Sequence, residues 1–354
     1  MFKKKTKALI LVMAAVFIFG SIFSGCGTKS EPAADKNDAK QEAPKTEAPK
    51  DEKTYTFKMG HVLPTDHLNH LGSEHFAKLV NEKTGGKVTI EIYPAAQLGS
   101  EKDHSDAVAM GTLDFALIGM GEIAKRYKPA LIFDGPFIFR DRDHLINVFK
   151  SDLFAKMADE SAAKAGIRPI GGTYYGTRHV TTSKVAAKTP EELKGLKLRC
   201  PDQPMFVGVV KAMGATPAPM AFSEVYLALQ QGVVDGQENP AAAITSMKFF
   251  EVQKYLIKTG HIAQGNHIFV SEKVFKTLPE DIQKAILEAG QETADWVNEQ
   301  AFALEDKLLK ELVEKGMTIV EPDREAFIKA AQPLYDEYES QWGEGLLEDI
   351  RAIK

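Results

Sequence analysis

Tyr55-Thr-Phe-Lys-Met59, then Leu71 to Asn81, then Lys87-Val-Thr-Ile-Glu-Ile-Tyr93 followed by Pro94 decide the fold class. The outer two pieces alternate apolar and polar side chains with a period of two, as half-buried strands do, and the middle piece repeats its apolar residues at helical spacing. Strand, helix, strand is the opening of an α/β protein. The same rhythm continues through Leu113-Asp-Phe-Ala-Leu-Ile118, Ile167-Arg-Pro-Ile-Gly-Gly-Thr173 and Leu196 to Cys200, with helical segments between them. Open, largely parallel sheets are expected, with ligands at the carboxyl ends of the strands. Near the C-terminus, Ile282, Ile286, Ala289, Thr293, Val297, Leu304, Leu308 and Leu312 keep near-helical spacing from Pro279 to a stop at Gly316. A helix from Glu280 to Lys315 would be roughly 50 Å long, enough to brace two domains.

Ahead of this body, Lys3, Lys4, Lys5 and Lys7 precede the apolar run Ala8 to Ile22 and then Phe23-Ser24-Gly25-Cys26. Basic start, short apolar stretch and small residues before a cysteine describe a secretory signal, residues 1-25. The run falls short of the about 20 apolar residues of a spanning helix. It resembles a bacterial lipobox, with phenylalanine where leucine is usual three residues before the cysteine, so Cys26 is expected to be lipidated. Gly27 to Lys53 has no aromatic residue and no Ile, Leu, Val or Met, and cannot bury enough surface to fold. As a flexible tether of 27 residues, it would span roughly 30 Å.

The 354 residues are 44% hydrophobic and 26% charged, which suits one or two globular domains. Removing the four leader lysines from the 44 basic residues leaves 40 against 49 acidic, a net charge of −9. No run of basic residues could follow a phosphate backbone, so nucleic acid is not an expected partner. With Cys26 acylated, Cys200 has no disulfide partner, and its place in Leu196-Lys-Leu-Arg-Cys200 reads as buried filler rather than a nucleophile.

Three patterns compete as sites. Gly119-Met-Gly121-Glu-Ile-Ala124 follows a strand and partly matches a dinucleotide motif, but Lys128-Pro129 cuts off the helix that motif needs, so a strand-end loop is expected. His61, His67, His70 and His75, with Asp66 and Glu74, suggest a metal; no third ligand is set by the spacing, and helix capping and loop packing are expected instead, with no metal and no cofactor. No G-x-S-x-G, H-E-x-x-H or P-loop occurs. The third pattern is arginine, of which there are only eight against 36 lysines. Arg199 closes one strand and Arg178, in Tyr174-Tyr-Gly-Thr-Arg-His179, follows another. Both could point into one strand-end cleft, where a planar guanidinium matches a carboxylate as lysine cannot. A structural ion pair is the competing role for each.

Gln230-Gln-Gly-Val-Val-Asp-Gly-Gln-Glu-Asn-Pro240, with Met220 to Leu229 and Leu193-Lys-Gly-Leu-Lys-Leu-Arg199 before it, resembles the solute-binding proteins of tripartite ATP-independent periplasmic (TRAP) transporters, the DctP family. Gly60-His-Val-Leu-Pro64, Tyr93-Pro94 with Gln97-Leu-Gly99, Leu113-Asp-Phe115 and Phe249 to Tyr255 fit in the same order, so the resemblance runs from about Thr54 to the end. It implies a two-lobed periplasmic-binding-protein-like fold, hinged around an organic acid, with a long C-terminal helix across both lobes: 54-175 plus 265-304 as lobe I, 176-264 plus 305-354 as lobe II. It implies that Arg199 pairs with the ligand carboxylate, that Asn239 supports it, that Arg178 adds a second charge, and that Phe222 lines the pocket. The loops carrying His61 and Glu101 would meet the rest of the ligand. The implied protein is an extracytoplasmic, lipid-anchored lipoprotein delivering a C4-dicarboxylate or sugar acid to small and large TRAP membrane subunits, and not an enzyme. A binding protein reporting to a receptor, or an enzyme using Glu101 or His61 as acid/base, are the other readings.

Overall fold

The computed structural model describes residues 53–354; the leader, Cys26 and all of the tether but Lys53 lie outside the described residues. The described strands are β1 (Tyr55–Gly60), β2 (Val88–Tyr93), β3 (Phe115–Gly119), β4 (Ile167–Thr182), β5 (Lys197–Cys200), β6 (Thr216–Pro219), β7 (Gly236–Pro240), β8 (Tyr255–Ser271) and β9 (Thr318–Val320). They form one sheet in the order β2-β1-β3-β8-β4-β7-β5-β6, with β9 beside β8. The two wings, β2-β1-β3 and β7-β5-β6, take opposite ends of the β4–β8 pair: β3 lies along the C-terminal part of β8 and β7 along the C-terminal part of β4.

The expectation of largely parallel sheets is corrected here. Within the wings the β1–β2, β1–β3, β5–β6 and β5–β7 pairs are parallel, but β3–β8, β4–β8 and β4–β7 are antiparallel. The strand expected to stop at Thr173 runs on to Thr182, and β8 was not foreseen. Both hide for one reason: Thr181, His261, Gln264, Asn266 and His267 are buried among aliphatics such as Val180, Leu256, Ile262 and Val270, so the apolar period is interrupted. Register shifts at Tyr174/Gly176 and Arg178/Val180, with Gly176 at φ +133°, mimic a strand end while letting β4 continue. Arg178 is therefore inside a strand, not beyond one.

Two apolar cores cover the two faces of the sheet. β3 shows the division: Phe115 and Leu117 enter one core, Ala116 and Ile118 the other, as a period of two requires. The long helix is present as expected, at Glu280–Glu314. It crosses β4 so closely that a Cβ on Gly171 would strike the Gly290 carbonyl oxygen, and one on Gly290 the Ile170 carbonyl oxygen. Past that crossing, Asn298 Oδ1 accepts from the Tyr174 N–H at 2.5 Å and Glu305 from the Thr177 N–H at 3.0 Å, supplying partners where the β4 ladder is irregular.

Candidate functional site

Arg199 sits near the end of the short strand β5, between two residues that face the apolar core, Leu198 and Cys200. The alternation turns its side chain to the other face of the sheet, where it is 2% exposed. Its guanidinium donates from Nε and Nη2 to the Met220 carbonyl oxygen, at 3.2 and 2.8 Å, and its Cζ lies 5.9 Å from the centre of the Phe222 ring. No carboxylate pairs with it among the described residues. Burial lowers its pKa to about 10, which leaves it cationic at neutral pH.

Arg178 has the opposite fate. Its Nε and Nη2 donate to the two carboxylate oxygens of Glu238 at 2.5 and 2.7 Å, Nη2 also to the Glu238 carbonyl at 2.7 Å, and Nη1 to Gln264 Oε1 at 2.6 Å. Glu238, fully buried, also accepts a hydrogen bond from His261 Nε2 at 3.1 Å. Arg178 and the histidine hold the carboxyl down at about 2 against the opposing effect of burial. The positive charge of Arg178 is thus neutralised within the protein, and the site offers one uncompensated cation where the family resemblance led to an expectation of two.

Arg178, Arg199, Asn239, Phe222 and Glu101 all line one cavity, and these polar and charged groups converge on it from separate elements. Asn239 Nδ2 donates to Gln237 Oε1 at 2.5 Å, leaving its carbonyl oxygen for other partners. Glu101 opens the helix Glu101–Met110 behind a Ser100–Asp103 capping box, which fixes its direction. Its carboxyl makes no hydrogen bond or ion pair among the described residues, and burial raises its pKa despite the two arginines nearby. Towards solvent the cavity is continued by a mouth lined by Glu101, Lys102, Glu122, Arg199 and Asp202.

His61 is not on the cavity wall. Its Nδ1 accepts from the Leu63 N–H at 3.1 Å, so Nε2 carries the proton donated to His70 Nδ1 at 3.0 Å. Burial, with His70 next, lowers its pKa to about 3. It shapes the loop that presents Val62 and Leu63 to the cavity. His67 is the N-cap of the helix Leu68–Lys83, accepting from Asn69 N–H at 3.1 Å, as the capping reading expected. Among the described residues no group of His, Cys, Asp and Glu is arranged to hold a metal. Cys200 is buried and unpaired, its thiol pushed up to about 12 by burial. Gly119 and Gly121 form a strand end and a 3-10 turn, without the helix of a dinucleotide site.

The sequence reading missed Tyr175, Gln203, Gln264 and Asn266, which also line the cavity. Gln203 follows Arg199 by four residues and could have been sought in the loop after β5. Gln264 and Asn266 share a face of β8 and were hidden with that strand.

The comparisons with known proteins place the chain in a family. Residues 59–341 match the family described as bacterial extracellular solute-binding protein, family 7, DctP. The sialic acid-binding periplasmic protein of Vibrio cholerae is 34% identical over 298 residues, 84% of this chain and 92% of that protein. Among solved structures, a TRAP periplasmic solute-binding protein from Polaromonas sp. JS666 bound to D-erythronate has a TM-score of 0.82 at 32% identity, covering 85% of this chain and 99% of that one. A second, from Roseobacter denitrificans with bound β-D-glucuronate, has a TM-score of 0.82 at 29% identity, with 85% and 100% covered. With its periplasmic-binding-like fold and its long helix, this chain belongs to the DctP family of TRAP solute-binding proteins.

Proposed function

We propose that this protein captures a small organic acid outside the cytoplasm, pairs the acid's carboxylate with Arg199, and delivers it unchanged to the small and large membrane subunits of a TRAP transporter. The observation that carries this is a guanidinium 2% exposed with only a carbonyl oxygen for company. A buried cation without a counter-ion is costly, and a carboxylate arriving in the cavity relieves that cost. Asn239 and Phe222 complete the clamp, and residues 54-175 plus 265-304 would close against 176-264 plus 305-354 to exclude water. The relatives' ligands, sialic acid, D-erythronate and β-D-glucuronate, are all acids. Lipidation of Cys26 and the tether to residue 53 would hold the body at the membrane; no helix among the described residues is long and apolar enough to cross one.

Arg199→Lys keeps the charge and loses the fork that binds two oxygens. Calorimetric titration with the acid that the wild type binds should show at least a 100-fold loss of affinity at an unchanged melting profile. Unaltered affinity would remove Arg199 from the site.

A further inference from the structure

Four carboxyl groups, Glu101, Glu122, Asp134 and Glu238, are gathered around two guanidiniums, Arg178 and Arg199. Glu238 and Arg178 cancel in a bidentate pair. Arg199 is left to meet one ligand carboxylate. The remaining carboxyl groups are Asp134, which is buried, and Glu101 and Glu122, which are half-buried.

The acidic side is built rather than accidental. Gln203 Nε2 donates to Glu122 Oε1 at 2.6 Å, and Gln264 Nε2 donates to Asp134 Oδ1 at 3.2 Å. The remaining Gln203 Oε1 and Asp134 Oδ2 both crowd the face of Gly121, where a Cβ would strike each of them, and neither has a partner among the described residues. Two bare acceptors side by side are satisfied when Asp134 carries a proton and donates it to the amide oxygen. Burial favours that state, holding Asp134 up at about 7 and, with help from Glu101, Glu122 up at about 8. Gln264 thus ties Asp134 to Arg178, and Gln203, which faces the same glycine as Asp134, reaches Glu122 at the mouth.

We propose that Glu101 and Glu122 form a hydroxyl-selecting wall, with Gln203 and Asp134 positioning Glu122, so that the site takes an acid with one carboxylate and a hydroxylated chain and rejects an acid with a second carboxylate. This rests on the reading of Arg199 as the carboxylate partner. Hydroxyls both donate and accept, so they satisfy the carboxyl groups of Glu101 and Glu122 in either protonation state. A second carboxylate only accepts, so it would be satisfied there only by holding protons on Glu101 and Glu122, with no second cation to receive it. Lys102 at the mouth is exposed, and exposed ammonium groups contribute little. Asp202 at the same mouth opposes it.

D-Erythronate and succinate share a four-carbon chain and differ in this respect alone, trihydroxylated monocarboxylate against dicarboxylate. We would titrate the full chain, freed of any carried ligand by unfolding and refolding, with D-erythronate, D-glucuronate, D-galacturonate, succinate and L-malate. At least one hydroxylated monocarboxylate should bind tenfold or more tightly than both dicarboxylates. In Glu101→Gln and Glu122→Gln, folding being checked by the melting profile, that ratio should shrink at least fivefold. Succinate or malate binding within tenfold of the best monocarboxylate overturns the hydroxyl wall and leaves the Arg199 clamp standing. A ratio that does not move in either glutamine variant overturns the assignment to these residues. Binding of neither class overturns the clamp and this inference together.

Discussion

At the residue scale, the two arginines singled out by their rarity differ in their partners. Arg199 meets only a backbone carbonyl and Arg178 is locked to Glu238. What separates them is a single glutamate in Gln237-Glu238-Asn239, aligned by the pairing of Val180 with Glu238 across β4 and β7. Removing one partner of a buried pair strands the other, at a cost of about 3–5 kcal/mol. Glu238→Ala should therefore lower unfolding free energy by that order in urea titration, with Glu238→Gln less affected; a loss below about 1 kcal/mol would show that Arg178 does not depend on Glu238. Gly121 is a second case where one residue type is demanded, because any side chain there collides with Asp134 and Gln203. The sequence showed a glycine pair after a strand, but not the carboxyl and amide, 13 and 82 positions on, that explain it.

At the scale of elements, the long helix and the irregular strand β4 depend on one another. Register shifts leave backbone N–H groups of β4 without ladder partners, and Asn298 and Glu305 on the helix provide them. A buried donor left unpaired costs about 1–3 kcal/mol. Asn298→Ala should cost about that much, read as a fall in Tm by calorimetry; a Tm equal to wild type would mean that the Tyr174 N–H has another partner. The helix itself was readable from its period to within one residue at its C-terminal end. β8 was not, because periodicity reports burial of apolar side chains, and this strand interleaves buried amides and imidazoles with its aliphatics.

At the scale of the molecule, burial sets a pH profile. His61, His179 and His267 are held down at about 3 and His67 and His104 at about 4, chiefly by desolvation. Neutral when folded, they protonate near 6.5 when unfolded, so the stability they allow is present above pH 6.5 and lost as the pH falls towards 4. Asp134 and Glu122, raised to about 7 and 8, work the other way: their protonated folded forms favour folding most near pH 4 and that advantage is lost as the pH rises through 7 to 8. Five groups outnumber two on the acid side, so Tm should peak near neutrality and fall below pH 6. His267, wedged among Phe149, Phe154 and Phe269 with neither ring nitrogen bonded, is the clearest case. His267→Leu should flatten the acid limb of a Tm-against-pH curve; an unchanged slope would show that His267 stays neutral in both states. Composition, periodicity and the rarity of arginine were enough to establish an α/β body with a long helix and to point at Arg199, because these are properties of local chain and of side-chain type. Which arginine is left without a carboxylate partner, that Glu122 meets Gln203 while Asp134 and Gln203 face the same glycine, and that the strands join in one mixed sheet were decided only by folding, because each depends on groups brought together from distant parts of the chain and on the water that their meeting excludes.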